Sequence, residues 1–212
     1  MLWKYRRSAI LCFPDSLNAG LRSAPAHARD RKAMAAMRLF HYSDDPTIKV
    51  FEPRPVQVPV VRPKSFEWLN GALVWAIDEA REPMYLFPRE CPRILVWATS
   101  NTTAADHDRW FGGRSSRVIA HIEWAWLDRL ITEVVYRYEM PLSNFEDLHD
   151  AGMWVSRVRV EPIGIEALNN LPAKLQAHGV ELRIMETLTP LKAAWNTSLH
   201  VSGIRLRNAQ AW

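Results

Sequence analysis

Residues 37–55 read MRLFHYSDDPTIKVFEPRP, and the way this stretch continues decides the fold class. MRLFHYS has the aromatic and alternating character of a strand, and Ser43-Asp44-Asp45-Pro46 supplies turn chemistry. TIKVFEPRP then runs extended into the spaced prolines Pro53, Pro55, Pro59 and Pro63, which favour a surface path over a packed helix. No helix of crossover length separates this strand from the next apolar run, ALVWAID at 72–78. Parallel neighbours need such a crossover and antiparallel ones do not.

The same habit continues along the chain. RILVWAT, RVIAHIEW, EVVYRYEMP, MWVSRVRVEP and VELRIM read as strands, and HVSGIRLRNAQAW as an extended edge. EAREPMYLFPRECP reads as an irregular connection or a short helix broken by Pro83. Short helices are expected in NTTAADHDRWF, capped by Asn101 or Thr102 and stopped by Gly112-Gly113, and in AWLDRLI. LPAKLQAHG places Pro172 near a helix start and Gly179 past its end. TPLKAAWNTSL has Thr189 as cap, and Ser143 with Glu146 in SNFEDL fits a capping box. Strands outnumber helices, which gives an α+β class with a mixed, mostly antiparallel sheet.

At 212 residues, 48% of them hydrophobic, the chain suits one domain, expected over 37–212. Two cysteines, Cys12 and Cys91, provide neither a disulfide framework nor a CxxC zinc motif. No apolar run is long enough to cross a bilayer, and the expected setting is cytoplasmic. Of 27 basic and 23 acidic residues, seven and two fall in residues 1–36, leaving 20 and 21 for the rest. The excess of positive charge therefore belongs to the first segment, read as a basic tail or an over-extended start before Met37. The remainder lacks the net charge of a nucleic-acid binder.

Several residues could carry chemistry. On a strand, His121 and Glu123 share one face and suit a base with its orienter, two metal ligands, or an exposed ion pair. Ser43, Ser156 and Ser202 lack a G-x-S-x-G elbow, and no GxGxxG or Walker A loop occurs. Arg89 and Arg93 flank Cys91 in PRECPR, Arg54 sits between two prolines, and Arg205 and Arg207 alternate near the C-terminus. Guanidinium forks suit phosphate or carboxylate, and the 10 tryptophans, Trp75 among them, offer walls for a flat ring. Arginine with aromatic rings suits a nucleotide.

Over 37–212 the chain resembles a small uncharacterised bacterial family, a domain of unknown function. The likeness rests on LFHYSDDPTIKVFEPRP, VWAIDEAREPMYLFPRECPRI, FEDLHDAGMWVSR and LHVSGIRLRN. More distantly, His41 and Ser43 on a first strand and Trp75 on the next resemble the ADP-ribosyltransferase-like fold. That resemblance implies NAD as cofactor, with His41 on its ribose or amide and Trp75 against nicotinamide. It also implies a catalytic glutamate on a later strand. GMWVSR offers only Trp154 and Ser156 there, so Glu123 or Glu139 would have to serve.

The resulting expectation is a nucleotide-like small-molecule site. It is bound by His41, Ser43, Arg54, Trp75 and Arg89, with His41 and Glu123 catalytic and ADP-ribosyl transfer as the reaction. Two alternatives stand beside it. One is a non-catalytic ligand-binding or protein-interaction module. The other is a metal-assisted hydrolase using His41, His121 and Glu123.

Overall fold

The structure, a computed structural model, describes residues 37–57, 59 and 61–212. The expected basic tail, 1–36, lies outside the described residues. The fold is α+β, with two mostly antiparallel sheets and short helical segments. The strands are β1 (Leu39–Ser43), β2 (Val74–Asp78), β3 (Arg93–Trp97), β4 (Val118–Glu123), β5 (Val135–Met140), β6 (Glu146–Asp147), β7 (Met153–Ser156), β8 (Gly164–Leu168), β9 (Val180–Met185) and β10 (His200–Ile204). The helices are α1 (Ala104–Phe111), α2 (Leu127–Thr132) and α3 (Leu171–Ala177), with 3₁₀ turns between elements. One sheet has the order β6-β7-β2-β1-β5-β8 and the other β10-β3-β4-β9.

The chain divides into two compact units. The first holds the described residues up to His41, Lys49–Arg81 and Glu139–Gly164. Here β2 pairs antiparallel with β1 through Phe40 and Ile77, and with β7 through Ala76 and Trp154. The described residues of the proline-spaced stretch form no helix. The stretch is pinned by isolated bridges from Phe51 to Val160 and from Arg54 to Leu73. Leu69, Leu73 and Val155 form a small core with Phe66, Trp68 and Trp75 packed on it. Gly152 has φ +74°, and a Cβ there would come within 2.6 Å of the Asp78 carboxylate, so this turn requires glycine.

The second unit holds Tyr42–Ile48, Glu82–Tyr138 and Ile165–Trp212. Its β3 is buried along its whole length because it is central, pairing antiparallel with both β4 and β10. β9 pairs parallel with β4, which makes this sheet mixed. The parallel connection is long enough to hold α3, which packs beside β9. The core gathers Ile94, Val96, Ile119, Phe111, Leu188 and Leu191, with Trp195 and Trp212 at its edge.

Three local expectations are corrected. The cap of α1 is Thr103, whose hydroxyl accepts from the Asp106 amide, because Asn101 and Thr102 are occupied in the preceding turn with Thr99. Ser143 and Glu146 form no capping box. Ser143 donates to the Asn144 side chain, and Glu146 enters β6 and pairs with Arg157. The 3₁₀ segment Thr189–Asn196 has no side-chain cap, because the Thr189 hydroxyl bonds Thr187 instead. One strand, β8, had no reading in the sequence: GIEAL is exposed except for Leu168 and lacks a buried face.

Candidate functional site

In the first unit, the imidazole Nδ1 of His41 lies 2.8 Å from the Trp75 carbonyl, and its ring leans on Phe51 at 4.6 Å. This places His41 and Trp75 together, through the backbone of Trp75. The indole itself packs on the Leu69–Leu73–Val155 cluster, so at least part of its surface is spent on the core. Arg54 is exposed, and its backbone carries the bridge to Leu73.

In the second unit, Ser43 is buried and its hydroxyl accepts from the Asp45 amide and, at 3.5 Å, from the Arg89 guanidinium. Arg89 also lies 3.9 Å from the exposed Asp44. The structure thus brings Ser43 and Arg89 together.

His121 and Glu123 are both buried, not an exposed ion pair. β4 is covered on both faces, which the H-x-E spacing alone could not reveal. The His121 Nδ1 meets the Ile94 carbonyl at 3.1 Å, and burial pushes its pKa down to about 4, so the ring is neutral at ordinary pH. Glu123 accepts from the backbone amides of Leu188 and Gln210. Its carboxylate ties the C-terminal segment to β4, and those bonds assign it a structural role. No group of three or more His, Cys, Asp or Glu side chains among the described residues could hold a metal ion. Cys91 is fully buried, and desolvation pushes its thiol up to about 12 despite Arg93 and Arg129, so it is not a poised nucleophile.

The least ordinary group is Arg93. Only 2% exposed, it makes no ion pair among the described residues. Its Nε donates to the Met84 carbonyl at 2.8 Å and its Nη1 to the Cys91 carbonyl at 2.9 Å, while the rings of Tyr85 and Phe87 face the guanidinium. Burial lowers its pKa to about 10, which still leaves it charged at neutral pH. Arg205 is close enough to repel it, and Arg205 in turn donates to the Arg89 carbonyl. Glu90 answers Arg205 at 3.4 Å and Arg207 at 2.8 Å. Arg205 and Arg207 thus pair with Glu90, and Arg89 with the exposed Asp44, while Arg93 beside them makes no ion pair among the described residues.

A family model matches residues 40–209 and carries the description "Family of unknown function (DUF6886)". The chain belongs to that family. The match covers most of the span expected from sequence, 37–212. No curated protein and no solved structure matches the chain. An ADP-ribosyltransferase likeness is therefore not among the findings, and the DUF6886 membership brings no activity with it.

A second polar cluster in the second unit had no reading in the sequence. Glu82, 4% exposed, accepts at one carboxylate oxygen from the Tyr42 hydroxyl at 2.6 Å and from Arg137 at 2.7 Å. Its other oxygen lies 3.0 Å from the His178 Nε2. Arg137 also donates to Glu166 at 2.6 Å. Burial, together with the Glu82 charge, pushes the Tyr42 phenol far above its ordinary range, so it stays a donor. The one available signal was an arginine between two aromatics in VYRYEM. Nothing in the sequence paired it with an acid 55 positions earlier.

Proposed function

We propose that this domain binds a nucleotide-like ligand through its phosphate at the Arg89–Arg93–Arg205 cluster. The observation that carries the reading is Arg93, a guanidinium buried without a carboxylate partner beside further arginines. Buried charges in proteins are ordinarily paired, and an anion is the group that would complete this one. The Ser43 hydroxyl lies 3.5 Å from the Arg89 guanidinium and adds a polar group beside it. Within this reading NAD is the nucleotide the sequence resemblance names, and nicotinamide release is the signature of the transferase version.

A thermal-shift series with NAD, ADP-ribose, AMP and inorganic phosphate tests it. A ligand present at tenfold over its Kd stabilises by about 1.4 kcal/mol, a rise of several degrees for a chain this size. Arg89→Ala is expected to abolish the rise while leaving the unliganded melting temperature in place. No shift from any phosphate-bearing compound at millimolar concentration would remove the proposal. A shift that survives in Arg89→Ala and Arg205→Ala would move the site elsewhere.

A further inference from the structure

Apart from the arginine cluster, the second unit holds a pocket of about 190 Å³. Its polar lining is Glu82, Arg137, Lys174 and His178, and its apolar floor is Leu86 and Leu168. Arg137 is already committed to Glu82 and Glu166. His178 is held by Glu82, whose buried carboxylate fixes which ring nitrogen faces inward. Lys174 differs from both: its ammonium has no ion-pair or hydrogen-bond partner among the described residues. Glu82 and Glu166 both pair with Arg137, so the cation of the lining left without an ion-pair partner among the described residues is Lys174. The volume falls below the roughly 300–1,000 Å³ of drug-sized sites, which restricts the occupant to a fragment-sized molecule.

We infer that this pocket binds a small organic carboxylate with an apolar body. Lys174 is its charge partner, Leu86 and Leu168 cover its apolar part, and His178 is an oriented hydrogen-bonding group. The buried Glu82–Tyr42–Arg137 network acts as the rigid back wall that holds His178 in place. None of these residues belongs to the arginine cluster, so the inference stands or falls separately from the nucleotide reading.

Benzoate is a suitable probe, with benzyl alcohol and benzylamine as neutral and cationic counterparts of the same shape. Binding to the full chain is followed by calorimetry and by ligand-observed NMR. Benzoate is expected to bind, the two counterparts to bind at least about tenfold more weakly, and Lys174→Met to lose about tenfold in benzoate affinity. Lys174→Met keeps the aliphatic stem, so an unchanged melting temperature is expected alongside. Arg89→Ala is expected to leave benzoate binding as it was. The inference is overturned by no benzoate binding at concentrations on the order of 10 mM. It is equally overturned by counterparts that bind as tightly as benzoate, or by Lys174→Met retaining full affinity.

Discussion

Replacing His121 by glutamine should change how the protein's stability responds to acid. His121 is 1% exposed, with only the Ile94 carbonyl on its Nδ1, and burial holds its pKa at about 4 against the ordinary 6.5. Its folded pKa is depressed, so the unfolded chain is the state that takes up the proton first. Well above pH 6.5 the ring is neutral in both states and contributes no pH dependence. Below it, the unfolded chain gains a proton that the folded one refuses. The cost is about 2 kcal/mol at pH 5 and about 3 kcal/mol at pH 4, where it levels off. Urea denaturation at a series of pH values between 7.5 and 4 measures this directly. Glutamine cannot titrate, and it can still donate to the Ile94 carbonyl. The difference in stability between native chain and H121Q should therefore shrink or invert by about 2 kcal/mol between pH 7 and pH 5. Parallel curves over that range would refute the reasoning, and so would an imidazole resonance titrating near 6.5 in the folded protein.

Four further outcomes follow from the packing. Tyr42→Phe removes a buried hydrogen bond to a charged carboxylate and should cost about 1.5–3 kcal/mol in chemical denaturation, with Glu82→Leu costing more because it takes the shared acceptor from Tyr42 and Arg137 together. A double-mutant cycle of Tyr42→Phe with Arg137→Met should show coupling above about 0.5 kcal/mol, since both donate to the same oxygen. Gly152→Ala should destabilise by more than about 1 kcal/mol, from its left-handed backbone and the clash with Asp78, and a neutral result would show that the turn can relax. Cys91 should resist a thiol reagent at pH 8 in the folded chain and react once unfolded; rapid labelling of the folded protein would contradict its burial and raised pKa.

Much of the fold was legible in MRLFHYSDDPTIKVFEPRP and the runs after it. Apolar and aromatic strands separated by prolines, glycines and acidic turns leave few ways to pair, and most strands appear where the sequence places them. β8 was not legible, because its apolar Ile165 and Ala167 are exposed and only Leu168 is buried, so its apolar positions mark no buried face. Caps were read by residue type, whereas Thr99, Thr102 and Ser198 compete for the same short-range bonds and move the cap by one or two positions.

Residue chemistry was legible and residue environment was not. The sequence by itself determined the α+β class and family membership. Only the tertiary structure decided that His121 and Glu123 are buried, that Glu123 serves two backbone amides, and that Arg93 lies buried without an ion pair among the described residues. It also brought Tyr42, Arg137 and His178 to the Glu82 carboxylate. The physical reason is range. Strand formation follows from side-chain alternation over a few neighbours, but burial and charge pairing depend on which distant segments cover a position. Those partners stand up to 96 residues apart along the chain for Glu82 and up to 87 for Glu123.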